Sequence, residues 1–572
     1  MRVFSFLKNT GKGFLWGLLL VLAVFVAYIY YCFSNLIYFL PVANRLHGDL
    51  SENNAVLITL HNESELRPTL GFLTGFILLK RNEDNDITME FHDSYDIEAP
   101  KKPIIAPDVI ERNFSTDSRY QGWVFRDTNF NMQYSQNAKN AIAFLGYDKR
   151  YKNVNISAVI SLDMHAIEKI IDAVGGVEFQ GKILHGENFF SVLESQAKQF
   201  NRSDEIAWKN RKGSIKPLAV SIIKKCIKSI FSWKNISNTI EVLFAQRHIL
   251  FYSPQVQIQK IFAEHNLTGA ITLDQSNIVW GINYANIGGK KGDRYIEKSV
   301  KSTFSLDKNG KITEKMEIQF AHNGTRNLHS DRYFGYIRVV KSENVKLVGF
   351  QKNSNYINDP AVHTPSFPHT SEFDLFFYVD PSSEETLELT FKYPQNLLVG
   401  DAKKINIFTQ PGLRKMPIEF VFQAFGDANV SILNCEEVYF AENISSCSVI
   451  APNAPEFISI SLQKDETFPI FEDVIYEEDG KKIRLQFSEE LEPVMVKDII
   501  LVEKNRKNKN IKAKNIVIRS VVNAPRAIEI LLDQPLNFEK RKFYTVFIEG
   551  FSDVSGNIFE QYNIVIAYPK YK

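Results

Sequence analysis

VISLDMHAIEKIIDAVGG, residues 159–176, carries the change of period that decides the fold. Val159 to Leu162 is a short apolar run of strand type, and Asp163 stands where a side-chain oxygen caps a helix start. Ile167, Ile170, Ile171 and Val174 then recur at helical spacing and make one apolar stripe. Gly175 and Gly176 end it with a left-handed turn that residues carrying a Cβ rarely adopt. The flanking sequence repeats this strand-then-helix unit. AVLITL (55–60), GFLTGFILL (71–79) and residues 87–92 read as strands. The segment 214–233 sets Leu218, Ile222, Ile223, Cys226, Ile227 and Ile230 on one face and Lys224, Lys225 and Lys228 on the other. Two more helices are expected near 236–247 and 255–265. The expectation for residues 41–295 is a three-layer α/β domain.

Beyond residue 296 the helical period is lost. Thr313 to Ala321, Phe373 to Val379, Glu385 to Tyr393 and Ile418 to Phe422 alternate or run apolar between Gly, Pro, Asn and Asp clusters. An antiparallel β-sandwich is expected over 296–455, closed by the stiff linker Pro452-Asn453-Ala454-Pro455. Residues 456–572 read as a further all-β unit, with Ile483, Leu485 and Phe487 alternating and Ser552 to Asn557 forming a turn cluster.

Toward the N-terminus, GFLWGLLLVLAVFVAYIYYCF (13–33) is uncharged and apolar. As a helix it spans about 31 Å, the thickness of a hydrocarbon core. Arg2, Lys8 and Lys12 precede it and Arg45 is the next charge, so the positive-inside rule predicts a cytoplasmic tail (1–12), a single-pass anchor in the cell membrane (13–40) and an extracytoplasmic body. A cleaved signal peptide is the competing reading; the length of the run and the lack of a small-x-small site favour the anchor. The bilayer is then an expected partner. With 67 basic and 66 acidic side chains the net charge is +1, which gives a nucleic-acid partner no global support. Four cysteines are too few for a disulfide scaffold. Cys32 and Cys226 read as packing residues, while Cys435 and Cys447 are candidates for one bridge. No zinc, haem or Cys-x-x-Cys spacing is present.

HNESELRPTLGFLTGF (61–76), FHDSYDI (91–97), RDTNF (126–130), SAVISLD (157–163) and NIGGKKGDRYIEKSV (286–300) resemble, in order and spacing, bacterial envelope proteins known as domain of unknown function 4012. Leu70 replaces the first glycine of that family's usual pair. More distantly, IIDAVGGVEF (170–179) resembles an element of the LytR-CpsA-Psr phosphotransferases, which attach glycopolymers to cell walls. Leu193-Glu194 stands where that family has an arginine, so its pyrophosphate-holding arginines do not carry over. IRLQFSEEL (483–491), IEILLDQPL (528–536) and YTVFIEGFSDVSGN (544–557) resemble immunoglobulin-like modules of SbsA type in bacterial surface proteins.

The candidate ligand-binding residues are Arg67, Glu65, Asp96, Arg126, Asp127 and Asn129. Arg67 can chelate a phosphate or carboxylate through its guanidinium; the bland alternative is an ion pair with Glu65 or Asp96. Arg126-Asp127-Thr128-Asn129 packs a cation, an anion and two hydrogen-bonding side chains, which suits a polar cleft or a helix cap. No metal site is expected and no cofactor, with Mg²⁺ beside Asp93 and Asp96 the one exception considered. Gly288-Gly289-Lys290-Lys291-Gly292 lacks the full phosphate-loop pattern and reads as a turn. Ser221-x-x-Lys224 has no K-T-G partner, and G-x-S-x-G and H-E-x-x-H do not occur. Lys504, Arg506, Lys507, Lys509, Lys512 and Lys514 read as a solvated hairpin loop, with contact to anionic wall polymer or lipid headgroups as the alternative. The function expected is binding, and further the processing, of a phosphorylated or anionic envelope polymer or its polyprenyl carrier. A non-enzymatic adhesion or scaffold protein is the alternative.

Overall fold

The computed structural model describes residues 40–97, 104–107, 109–111, 122–198, 215–229, 232–270, 276–326, 331–352, 360–363, 365–424, 428–435, 437–441, 444–464 and 471–477. In the last unit it describes 481–488, 491, 494, 499–504, 510–511, 518–524, 526–536, 543–548 and 562–566. The first unit contains β1 (Asn54–Leu66), β2 (Gly71–Arg81), β3 (Ile87–Asp93), β4 (Asn155–Asp163), the hairpin β5 (Val177–Phe179) and β6 (Lys182–Leu184), and β7 (Ile249–Tyr252). Its helices are α1 (Leu40–Asp49), α2 (Tyr134–Tyr147), α3 (Met164–Ala173), α4 (Gly186–Lys198), α5 (Ile215–Lys228), α6 (Trp233–Ala245) and α7 (Val256–Glu264). The sheet order is β3-β2-β1-β4-β7. Only β1 and β4 run parallel; the other neighbours are antiparallel.

Local chemistry sets the α3 unit. The Asp163 side chain accepts from the Ala166 N–H at 2.9 Å and so caps the helix. Gly175 and Gly176, at φ 75° and 92°, turn the chain out of it. Ile171 and Val174 then bury against Phe189 of α4 and Leu218 of α5. On the sheet, α2 lays Ala138, Ala141, Phe144 and Leu145 over Leu57, Phe76, Leu78 and Leu250.

The largest core belongs to two seven-stranded sheets. One comprises β8 (Ile278–Asn286), β11 (Tyr333–Ser342), β13 (Ala361–His363), β14 (Thr370–Val379), β16 (Ala402–Thr409), β18 (Ala428–Leu433) and β21 (Phe457–Lys464). The other comprises β9 (Ile296–Leu306), β10 (Lys311–His322), β12 (Lys346–Lys352), β15 (Glu384–Asn396), β17 (Met416–Gln423), β19 (Glu437–Ala441) and β20 (Ile444–Ala451). Trp280, Tyr284, Phe304, Phe320, Phe377, Phe391 and Phe420 fill the space between them. β9 and β10 alternate inward and outward, the period of a sheet with one wet face. β8 is buried at every residue, because Phe130 and Met132 of the first unit cover its other side. Strands of this sandwich thus lie on both sides of the 296–455 segment. Cys435 and Cys447 are joined in a disulfide beside β19. The last unit pairs two four-stranded sheets over Ile483, Leu485, Phe487, Ile528, Ile530 and Val546.

Two expectations are corrected. The chain is not an α/β three-layer protein with β appendages. It is mostly β, spread over several sheets, and even its helix-bearing unit is built on largely antiparallel pairs. Alternation of strand and helix along the sequence reported succession, not pairing. The single-pass anchor and the membrane localisation drawn from it are also corrected. Among the described residues no helix is long and apolar enough to cross a membrane. The longest described helices, α2 and α5, have 14 residues. The stretch 13–33 lies outside the described residues, as do the turn at 552–557 and Arg506, Lys507, Lys509, Lys512 and Lys514.

Candidate functional site

The first candidate cluster is built by the β1–β2 connection. The pairing of β1 with β2 slips between Asn62 and Leu66, a bulge at the end of β1 that carries Glu63 and Glu65. Gly71 returns against Asn62 so closely that a Cβ there would lie 2.2 Å from the Asn62 backbone. Leu70, at the position where the resembled family has glycine, holds φ 61°. Arg67 is buried behind this turn. Its guanidinium donates to Glu65 Oε1 at 2.7 Å and to the Asn286 carbonyl at 2.5 Å, and it lies over the rings of Phe130 (5.0 Å) and Phe72 (5.4 Å). Burial pushes the Glu65 carboxyl above the ordinary range, although the Arg67 charge opposes it. The same holds for Asp127, opposed by Arg67 and Arg126. Arg126 lies 3.9 Å from Asp127 and 4.7 Å above the Tyr95 ring.

The structure therefore brings Arg67, Glu65, Arg126 and Asp127 together, but as a mostly buried seam against the sandwich. Asn129 is used elsewhere: its Nδ2 donates to the carbonyls of Gly71 (2.6 Å) and Thr69 (3.1 Å). The Asp96 carbonyl receives Arg150, and the Asp93 side chain caps the following turn through the Tyr95 N–H at 3.1 Å. Tyr95, between these two carboxylates, meets the seam through the Arg126 guanidinium. Among the described residues no group of three His, Cys, Asp or Glu side chains is arranged to hold a metal.

A second cluster, which the sequence reading missed, sits at the carboxyl ends of the parallel pair β1 and β4, the edge at which mixed α/β sheets carry ligands. The His248 imidazole bonds Asp163 Oδ2 at 2.6 Å, both fully buried. Burial works against charge on this imidazole, but Asp163 overrides it and raises the pKa above the usual histidine value. The His165 ring packs at 4.6 Å from it. Glu63 accepts from the Met164 N–H at 3.0 Å and from Arg414 Nε at 3.0 Å. Burial and the Asp163 charge raise the Glu63 pKa, with Arg414 opposing. Arg414 also reaches Glu168 at 2.9 Å.

From the sandwich side, Lys291 pairs with Glu194 at 2.7 Å. Arg294 lays its guanidinium on the Phe190 ring, 3.6 Å from the centroid. Arg294 is exposed, and Arg414, Glu168, Glu63 and Glu194 are its charged surroundings. Among the described residues it makes no hydrogen bond or ion pair. The signal for this cluster was present in NIGGKKGDRY, yet its partners Glu63, Glu168 and Arg414 are far off in sequence. An open groove of about 890 Å³ lies elsewhere, over the sandwich beside Cys435, with no comparable set of charges.

Residues 51–197 match the family model described as "Protein of unknown function (DUF4012)". No curated protein matches the chain. Among solved structures, the N-terminal part of the bacterial S-layer protein SbsC aligns at 19% identity, covering 18% of this chain and 24% of its own, with TM-score 0.15. A Streptococcus agalactiae protein aligns at 14% identity over 37% and 73%, with TM-score 0.23. A Bacillus subtilis protein described as a transcriptional regulator aligns at 10% identity over 39% and 79%, with TM-score 0.20. The chain thus spans about a quarter of the SbsC fragment, and likenesses at these scores assign no function.

Proposed function

We propose that this protein binds a phosphate- or carboxylate-bearing polymer on the surface where α3–α4 meet the sandwich loop 291–294. One observation carries the reading: Arg294 is held flat on Phe190 with its hydrogen-bonding edge unspent among the described residues. A stacked guanidinium loses little freedom on chelating an oxyanion, and its planar fork fits phosphate or carboxylate. Arg414 and Lys291 add positive charge beside their carboxylate partners, while Glu63, with its pKa raised by burial, keeps its proton to higher pH than a surface carboxyl does. The likeness of 170–179 to the LytR-CpsA-Psr element supports a glycopolymer as the class. Its missing arginine, replaced by Glu194, has a counterpart here in Lys291 and Arg294 from another part of the chain.

The test uses linear polyphosphate as the probe, with thermal stabilisation measured at low and high salt. At 100 times its Kd a ligand adds about 2.7 kcal/mol of stability. Arg294→Ala, at an exposed position, is expected to keep the fold within about 0.5 kcal/mol and to lose the shift. Arg332→Ala, on a remote exposed pair with Asp380, is expected to keep it. A wild type that responds no better than Arg294→Ala leaves the scaffold reading in place.

A further inference from the structure

Inside the sandwich, a lysine and a glutamate face each other where no charge is expected. Glu314 on β10 and Lys341 on β11 belong to opposite sheets, and both side chains are fully buried. The Lys341 Nζ lies 2.7 Å from the Glu314 carboxylate. Two hydroxyls grip the same carboxyl: Ser302 Oγ donates to Oε1 at 2.8 Å and Tyr393 donates to Oε2 at 2.5 Å. The Trp280 Nε1–H donates to Ser302 Oγ at 2.8 Å, which leaves the serine proton for Glu314. The Trp280 and Phe391 rings flank the amine at 5.5 and 4.9 Å.

From this geometry we propose that Lys341 and Glu314 condense into an intramolecular amide that covalently joins the two sheets. An ammonium and a carboxylate taken out of water lose several kcal/mol of hydration each, and an amide carries neither charge. Burial lowers the Lys341 pKa, with Glu314 opposing, which favours the neutral amine that attacks. Proton transfer within the pair gives amine and carboxylic acid. The nitrogen lone pair forms the N–C bond to Glu314 Cδ, and the carbonyl electron pair moves to oxygen. The Tyr393 hydroxyl holds the resulting oxyanion at Oε2, as a fixed donor does in acyl transfer, while Oε1, which accepts from Ser302, carries the leaving hydroxyl. The carboxyl hydroxyl then leaves with one proton from nitrogen as water. No oxidant or co-reactant is needed. Condensation is unfavourable between dilute molecules, but groups held in contact reach effective molarities of about 10⁵–10⁸ M. Tyr393 stays protonated because burial raises its pKa well above the ordinary phenol value.

The experiment is a tryptic peptide map of the reduced full chain by mass spectrometry. An amide at Lys341 blocks cleavage there and yields a branched species, ITEK (312–315) joined to VVKSENVK (339–346), lighter than the two peptides by one water. The intact chain shows the same deficit. The Tyr393→Phe variant is expected to retain uncondensed protein, seen as cleaved VVK (339–341). The double variant Lys341→Met/Glu314→Leu replaces the pair with apolar groups, a change that buried pairs often tolerate, and serves as the folded, unlinked control. Quantitative cleavage after Lys341 in the folded wild type, with no branched species, overturns the proposal.

Discussion

Removing the Asp163 carboxylate tests the architecture of the second cluster. The side chain does two things: it caps α3 through the Ala166 N–H at 2.9 Å and holds the His248 imidazole at 2.6 Å in full burial. Asp163→Asn keeps a capping oxygen, since Asn and Asp cap about equally well, while Asp163→Ala removes cap and partner together. Because Asp163 raises the folded pKa of His248, its charged pair contributes full stability below about pH 6.5 and loses it as pH rises through the folded value. In either variant burial dominates, the buried imidazole turns neutral, and the unfolded chain binds the extra proton. Stability of the variants therefore falls as pH drops through about 6.5, opposite to the contribution in the parent. Breaking a buried pair costs about 3–5 kcal/mol, so that is the expected loss for Asp163→Asn near pH 5.5. Near pH 9 only about 1 kcal/mol should remain, a neutral hydrogen bond. Asp163→Ala should lose about 1 kcal/mol more than Asp163→Asn at both pH values. Urea unfolding followed by helical circular dichroism isolates this unit, because all described α-helices lie between residues 40 and 264. Equal losses at both pH values would falsify the charged-pair account.

Arg67→Met should destabilise the first unit by about 3–5 kcal/mol by leaving Glu65 buried without its cation. The double change Arg67→Met/Glu65→Leu should recover most of that in thermal melts; failure to recover would mean that Arg67 acts through its other contacts. Reducing the Cys435–Cys447 bridge, which closes a loop with sequence separation 12, should lower sandwich stability by about 3 kcal/mol. Calorimetry with and without reductant reads this directly, and an unchanged transition would show that the β19–β20 pairing already fixes the loop.

What was legible in the sequence was local. The α3 cap and the Gly175-Gly176 exit are read from neighbours within a few residues, and both stand in the structure. The Glu65 alternative for Arg67 was legible for the same reason, being two residues away. His248 with Asp163, and Arg414 with Glu63, are separated by 85 and 351 positions. No spacing rule reaches that far, and the cluster came only from the way the sandwich loop folds back on β1 and β4. β8 misled for a different reason. Buried on both faces, it has no period of two, so it reads as the tail of the preceding α/β pattern although it is a central strand of the sandwich.

Glu314 was readable and was passed over. In KITEKMEIQFAH (311–322) the inward register takes Ile312, Glu314, Met316, Ile318, Phe320 and His322, and four of those six positions are apolar. A lone carboxylate on the buried side of so regular an alternation must meet a cation, a proton or a bond, since an unpaired charge there would cost several kcal/mol. Lys341 lies in YFGYIRVVKS (333–342), buried at nine of ten positions, where the same reasoning applies to an ammonium. The period of two thus places the carboxylate of Glu314 inside before any coordinate is known, whereas Lys341, on a strand buried on both faces, is assigned to the same interior only by the packing of the two sheets.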